Sequence, residues 1–235
     1  MKRAYIILCV IIICCAYINA QDDPVTNYLQ QAGAYAEIYN GRMEAVYNML
    51  QYESLPYYVN ADFTEATIVY RKNYYPNQKV RLDLFKEQLV IMPFGKQHAV
   101  VVSSSSVEKV YMYEKTFVWL APPRESGLKT GYYIQLSDGK KMKLFCKEKY
   151  FLQQRLQQTG AVSYFEREIR YYLLYNSRYY VMKNKGSFSK LFPQYKKQIN
   201  IFVKDHQLNF KRKMDESLIS LAGYCEELLN LTNSQ

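Results

Sequence analysis

The run Lys79-Val80-Arg81-Leu82-Asp83-Leu84 alternates polar and apolar residues, in a chain that holds 25 tyrosines and 11 phenylalanines. Alternation with period two puts Val80, Leu82 and Leu84 on one side of a pleated strand and Lys79, Arg81 and Asp83 on the other. Aromatic and β-branched side chains fit such a half-buried surface, so the chain reads as mainly β. Further strands are expected at 65–70, 88–92, 98–102, 107–113, 116–120, 132–136 and 141–146. Their short spacing is that of an antiparallel meander, built as a sandwich or a half-barrel. Ser137-Asp138-Gly139-Lys140 is the clearest hairpin turn, because glycine accepts the positive φ that such turns use. Asn176-Ser177 joins strands at 168–175 and 178–182, and Asn73-Tyr74-Tyr75-Pro76 reads as another turn.

Beyond Gly186 the period changes. Ile199, Phe202, Val203 and His206 fall at helical spacing, as do Met214, Leu218, Leu221, Cys225 and Leu228. Asp215 and Glu216 suit a helix start, where negative charge and a short acceptor are favoured. The expected fold is thus a β domain over 21–185 with two C-terminal helices, in 186–235, packed on it as part of the same domain. The segment 25–39 reads equally as a short helix or an edge strand.

The first twenty residues carry a different signal. Lys2 and Arg3 precede an uncharged apolar run from Ala4 to Ala16, and Ile18 and Ala20 stand three and one positions before a cut ahead of Gln21. That is the layout of an export signal cleaved between Ala20 and Gln21. The run is shorter than the ~20 residues that span a bilayer as a helix. No later stretch reaches that length, so no transmembrane span is expected after cleavage. Cys14 and Cys15 lack the small residue expected before a lipidated cysteine, so no lipid anchor is expected either.

Cleavage removes Lys2 and Arg3 and no acid, taking the formal net charge from +10 to +8. A basic balance raises affinity for anionic partners without setting the fold. In an exported protein those partners are anionic glycans, lipid head groups or an acidic envelope protein, rather than nucleic acid. Three of the five cysteines leave with the signal. Cys146 and Cys225 remain, and an oxidising compartment allows them to bond, tying a strand to the last helix with a loop-entropy gain of ~3–5 kcal/mol. The alternative is two separate buried thiols.

A search for chemistry returns little. His98 opens an apolar run and His206 closes a helical stripe, both as structural residues. Metal-ligand spacings, nucleophile elbows and phosphate-cradling glycine loops are absent from the sequence, and no cofactor is called for. Ser187 and Lys190 stand at Ser-x-x-Lys spacing without companion motifs. Asp62, Glu65, Asp83, Glu87, Asp138, Glu166 and Glu168 are available to a carboxylate pair that spacing cannot assign. Tyrosine pairs in strands put one ring on each face, so half of them could line an aromatic surface beside Arg71, Lys72, Arg170 and Arg178.

Tyr39-Asn40-Gly41 with Tyr47, Leu55-Pro56-Tyr57, Val69-Tyr70 with Tyr74, Val80 to Leu84 with Leu89-Val90, Tyr171-Tyr172-Leu173 and Lys190-Leu191-Phe192-Pro193 follow one another in an order that resembles a family of uncharacterised exported proteins of Bacteroidota. The resemblance implies a Gram-negative envelope, in the periplasm or at the cell surface, and carries no catalytic motif. The reading as a whole is an exported, non-catalytic binding or assembly component of the envelope. An exported hydrolase and a carrier of lipid or another apolar ligand are the alternatives. Oligomeric state is left open.

Overall fold

The computed structural model describes residues 24–232 other than 49, 96 and 159. The signal segment and its cut at Ala20 and Gln21 lie outside the described residues. Helix α1 (Pro24–Ala32) comes first, continued by 3-10 turns at Gly33–Tyr35 and Glu37–Tyr39. Proline at its first position gives up an N–H that no helix could use. After an irregular stretch the chain forms ten strands: β1 (Thr64–Tyr70), β2 (Asn73–Asp83), β3 (Gln88–Met92), β4 (Val100–Val101), β5 (Val107–Met112), β6 (Lys115–Leu120), β7 (Gly131–Asp138), β8 (Met142–Gln157), β9 (Gly160–Tyr175) and β10 (Arg178–Met182). Helices α2 (Lys185–Leu191), α3 (Lys196–Asp205) and α4 (Met214–Thr232) complete it.

All ten strands form one antiparallel sheet in the order β10-β9-β8-β7-β6-β5-β1-β2-β3-β4. Two meanders, β1 to β4 and β5 to β10, are therefore joined where β5 pairs with the outer side of β1. In a flat sheet β4 and β5 would lie about 19 Å apart, four strand spacings. The link from Val101 to Val107 spans about 20 Å only when fully extended, and it contains a 3-10 turn at Ser104–Ser106. The sheet must curl. Two contacts register the curl directly: the Tyr150 N–H of β8 donates to the Leu84 carbonyl beyond β2 at 3.4 Å, and Tyr132 of β7 donates its hydroxyl to Ser104 at 3.1 Å. The sheet nevertheless does not close.

The concave face holds the main core, including Ile68, Val80, Leu82, Leu89, Ile91, Val110, Phe117 and Tyr132. Along β8 the same face continues into a second cluster, where Met142, Leu144 and Leu173 meet Phe188, Ile199, Leu218, Leu221 and Cys225 of the helices. A small third cluster of Val118, Leu128, Tyr133, Phe145 and Tyr172 lies on the reverse face. Tyrosine pairs divide between these layers, Tyr132 and Tyr133 to opposite faces and Tyr171 and Tyr172 likewise.

Several expectations are refined. The turn placed at 73–76 lies at Arg71-Lys72, both left-handed (φ 48° and 66°), and Asn73 to Pro76 belong to β2. Neither residue is a usual turn former; the Lys72 N–H is held by the Glu108 carboxylate at 2.8 Å and Arg71 by Glu37. Pro76 sits beside a register shift of the β1–β2 ladder, where its missing N–H costs no pairing. The strand at 98–102 shrinks to Val100–Val101, leaving His98 exposed outside it. The strand ending at Cys146 runs eleven residues further, to Gln157. Helix α2 adds a third C-terminal helix, and 25–39 is helical. The hairpin at Gly139 forms, but Gly139 is not among the glycines with positive φ. Glycine is required there because a Cβ would stand 2.7 Å from the Met142 carbonyl and would also press on the Glu226 carboxylate of α4.

Candidate anion-binding pocket

On the reverse face, alternate residues of β8 and β9 point outward together. Lys147 is opposite Arg170, Lys149 opposite Glu168 and Phe145 opposite Tyr172. Tyr133 of β7 and the loop residues Gly127 and Lys129 close the other side, and Phe151 the end. Together they line a recess of about 80 Å³, the size of one small ionised group.

Like charges directly opposite each other destabilise a sheet, so the Lys147–Arg170 pair needs counter-charge. Lys147 receives it from Glu87, in the turn after β2 that the curl brings onto β7 and β8. The Lys147 ammonium donates to Glu87 Oε2 at 2.7 Å and to the Tyr132 carbonyl at 2.8 Å, over the Tyr133 ring at 4.6 Å. Glu87 Oε2 also accepts the Tyr132 N–H at 2.9 Å. Its other oxygen is 2.7 Å from the same ammonium but without hydrogen-bond geometry, so it is met as a charge only. The pair fits tightly: Glu87 takes a left-handed φ of 55°, and a Cβ on Gly131 would come within 2.4 Å of the Glu87 carboxylate. Burial holds Glu87 above the ordinary carboxylate range against the pull of Lys147, and holds Lys147 below the ordinary lysine range against the pull of Glu87.

Arg170 is bound by Glu168, Nε to Oε1 at 2.7 Å. Lys149 lies 5.9 Å from the centroid of Phe151, and neither it nor Lys129 has an ion-pair partner among the described residues. The recess thus has two lysines without a close ion pair, an arginine held in place by the Glu168 carboxylate that shares the lining, and an aromatic floor. Its chemistry is that of an anion receptor beside an apolar ring face.

Only part of this was picked out by sequence. Arg170 and Glu168 were candidates. Lys147, Lys149 and Phe151 lie beyond the expected strand end at Cys146, because three charged residues in a row, Lys147-Glu148-Lys149, break the polar–apolar alternation; the aromatic pair Tyr150-Phe151 that follows is the signal that the strand goes on. Arg71 and Lys72 are on a distant hairpin, and Arg178 lines a separate groove with Tyr179 and Pro123. Cys146 and Cys225 are free buried thiols in different core clusters, so the structure holds the separate-thiol arrangement rather than a disulfide. Burial pushes each thiol up to about 12.

The remaining candidates take structural positions. His206 ends α3 and stacks on Phe202 at 4.0 Å. Ser187 Oγ accepts the Lys183 N–H. Buried Asp83 accepts two backbone N–H groups, from Phe85 and Lys86, and the Tyr47 hydroxyl at 2.8 Å. Asp138 pairs with Lys143, and Asp62, Glu65 and Glu166 are exposed. Among the described residues no group of three or more His, Cys, Asp or Glu is placed to hold a metal ion, and no helix is long and apolar enough to cross a membrane. No known protein family, curated protein or solved structure matches the chain.

Proposed function

We propose that this is an exported, non-catalytic binding or assembly component of a Gram-negative cell envelope, and that the pocket on β8 and β9 receives an acidic group of an envelope glycan. The observation that carries the reading is the convergence of Lys129, Lys149 and Arg170 around one small recess floored by Tyr133, Phe151 and Tyr172. A carboxylated or sulfated sugar offers both parts of the match, an anion for the cations and a C–H face for a ring. The signal at residues 1–20 and the likeness to exported Bacteroidota proteins support the compartment, and the basic balance supports an anionic partner.

Calorimetric titration with a soluble polyuronate at low salt tests this. Binding should weaken about tenfold or more when Lys149→Gln and Arg170→Gln are combined, with neutral dextran inert. Equal binding by the double variant would exclude the pocket. Binding to anionic vesicles but not to the polyuronate would assign the site to a lipid head group instead.

One observation favours the carrier alternative. A groove of about 650 Å³ runs between α1 and β2–β3, lined by Leu29, Tyr39, Pro76, Met92, Pro93 and an exposed Phe94. Retention of a fatty acid by the purified protein, lost with Phe94→Asp, would support that reading.

A further inference from the structure

The two terminal strands of the sheet are treated differently. The outer edge of β4 is covered by the chain itself, since Val101 N–H donates to the Arg42 carbonyl at 2.8 Å and Glu44 N–H to Ala99 at 3.0 Å. The far end of β9 is covered in the same way: Glu53 N–H donates to the Ser163 carbonyl, and Ser54 Oγ accepts the Phe165 N–H. Between that clasp and the Asn176-Ser177 turn, no backbone cover of this kind lies on β10 among the described residues.

The backbone direction follows from this clasp. Ser163 and Phe165 turn their polar groups away from β8, and the β8–β9 ladder runs without a register shift. Tyr171, Leu173 and Tyr175 therefore do so too, bonding to Met182, Tyr180 and Arg178 opposite them. That leaves the N–H and C=O of Tyr179 and Val181 facing outward from the sheet, with no backbone partner among the described residues. Val181 as a residue is 52% exposed.

Two grooves flank this edge. One, of about 430 Å³, lies beside the start of β10 and is walled by Pro123, Glu125, Ser126, Arg178 and Tyr179. The other, of about 650 Å³, lies beside its end and is walled by Glu168, Arg170, Val181, Met182, Lys183 and Met214. A strand added to β10 would run past both grooves, its first and last side chains reaching one each. Arg178 and Lys183 bracket the edge without ion-pair partners among the described residues. A second copy paired antiparallel would bring Arg178 of each chain beside Lys183 of the other, which like-charge repulsion opposes. We infer that β10 accepts an extended acidic segment of a partner protein as an eleventh strand.

The probe is a capped heptapeptide alternating Glu and Val, followed by fluorescence anisotropy at low salt. It should bind, and the Lys–Val counterpart should not. Val181→Pro removes one outward N–H while leaving the β9 ladder intact, and should weaken binding about tenfold with little change in melting temperature. Arg178→Glu combined with Lys183→Glu should reverse the preference towards the lysine peptide. Equal binding of both peptides, or of the acidic peptide to Val181→Pro, would overturn the inference. So would a concentration-dependent dimer that Val181→Pro abolishes, since the edge would then serve self-pairing. The pocket variant Lys149→Gln separates this from glycan binding, because Lys149 lines neither groove and leaves Arg178, Lys183 and the β10 backbone untouched.

Discussion

Lys147 and Glu87 show how much one curled turn asks of two side chains. For Glu87, whose folded pKa is raised by burial, the favourable contribution is complete below the ordinary carboxylate value and is lost as pH rises through the raised one. For Lys147, whose folded pKa is lowered by burial, it is complete above the ordinary lysine value and lost as pH falls through the lowered one. Burial thus opposes both charges, and each charge is needed because the other is there. Glu87→Gln or Lys147→Gln alone should cost about 3–5 kcal/mol. Combined, they keep neutral partners for the Tyr132 N–H and carbonyl, and denaturant unfolding should show the double variant more stable than either single one. The thiols make a second residue-scale prediction. With Cys146 and Cys225 buried and protonated, an alkylating reagent at neutral pH should label neither in the folded mature chain and both in guanidinium.

At the scale of elements, turn chemistry separates what sequence can disclose from what it cannot. Asn176-Ser177 was legible because Asn tolerates a left-handed backbone; both residues adopt it (φ 48° and 59°). Ser177→Gly should therefore stabilise the β9–β10 hairpin by up to about 1 kcal/mol, measured by thermal unfolding. Arg71-Lys72 has the same geometry with no local sign of it, since Glu37 and Glu108, distant in sequence, supply its partners. The Gly139 turn holds glycine for a reason other than φ: the Met142 carbonyl and Glu226 of α4, distant in sequence, leave no room for a Cβ. Gly139→Ala should cost about 1–3 kcal/mol by forcing Glu226 off the Lys141 N–H, which it accepts at 2.6 Å. Long-range contacts of this kind leave no periodic trace, whereas the strand faces do.

Over the whole molecule the alternation of Lys79 to Leu84 decided the fold class, because a one-sided apolar strand needs a sheet to share its core. All ten expected strands form, so strand count was legible; strand lengths and the curl were not. They depend on a short β4–β5 link and on where β8 stops, neither of which is a local property. The main core and the helix-covered cluster share Leu136 and Tyr171, and the Tyr171 hydroxyl donates to Asp215 at 2.6 Å. They should unfold together. Leu221→Ala in α4 should lower stability by about 2–5 kcal/mol with one transition in both near- and far-ultraviolet circular dichroism; two transitions would show the helices to be a separate unit.

Recognition by the basic pocket is the claim on which the functional reading rests, and amide chemical-shift mapping during titration with a uronate oligosaccharide tests it most directly. Shifts should cluster at 127–133, 147–151 and 168–172, with saturation. Shifts centred on the groove of Leu29, Met92 and Phe94, or none at millimolar sugar, would contradict it.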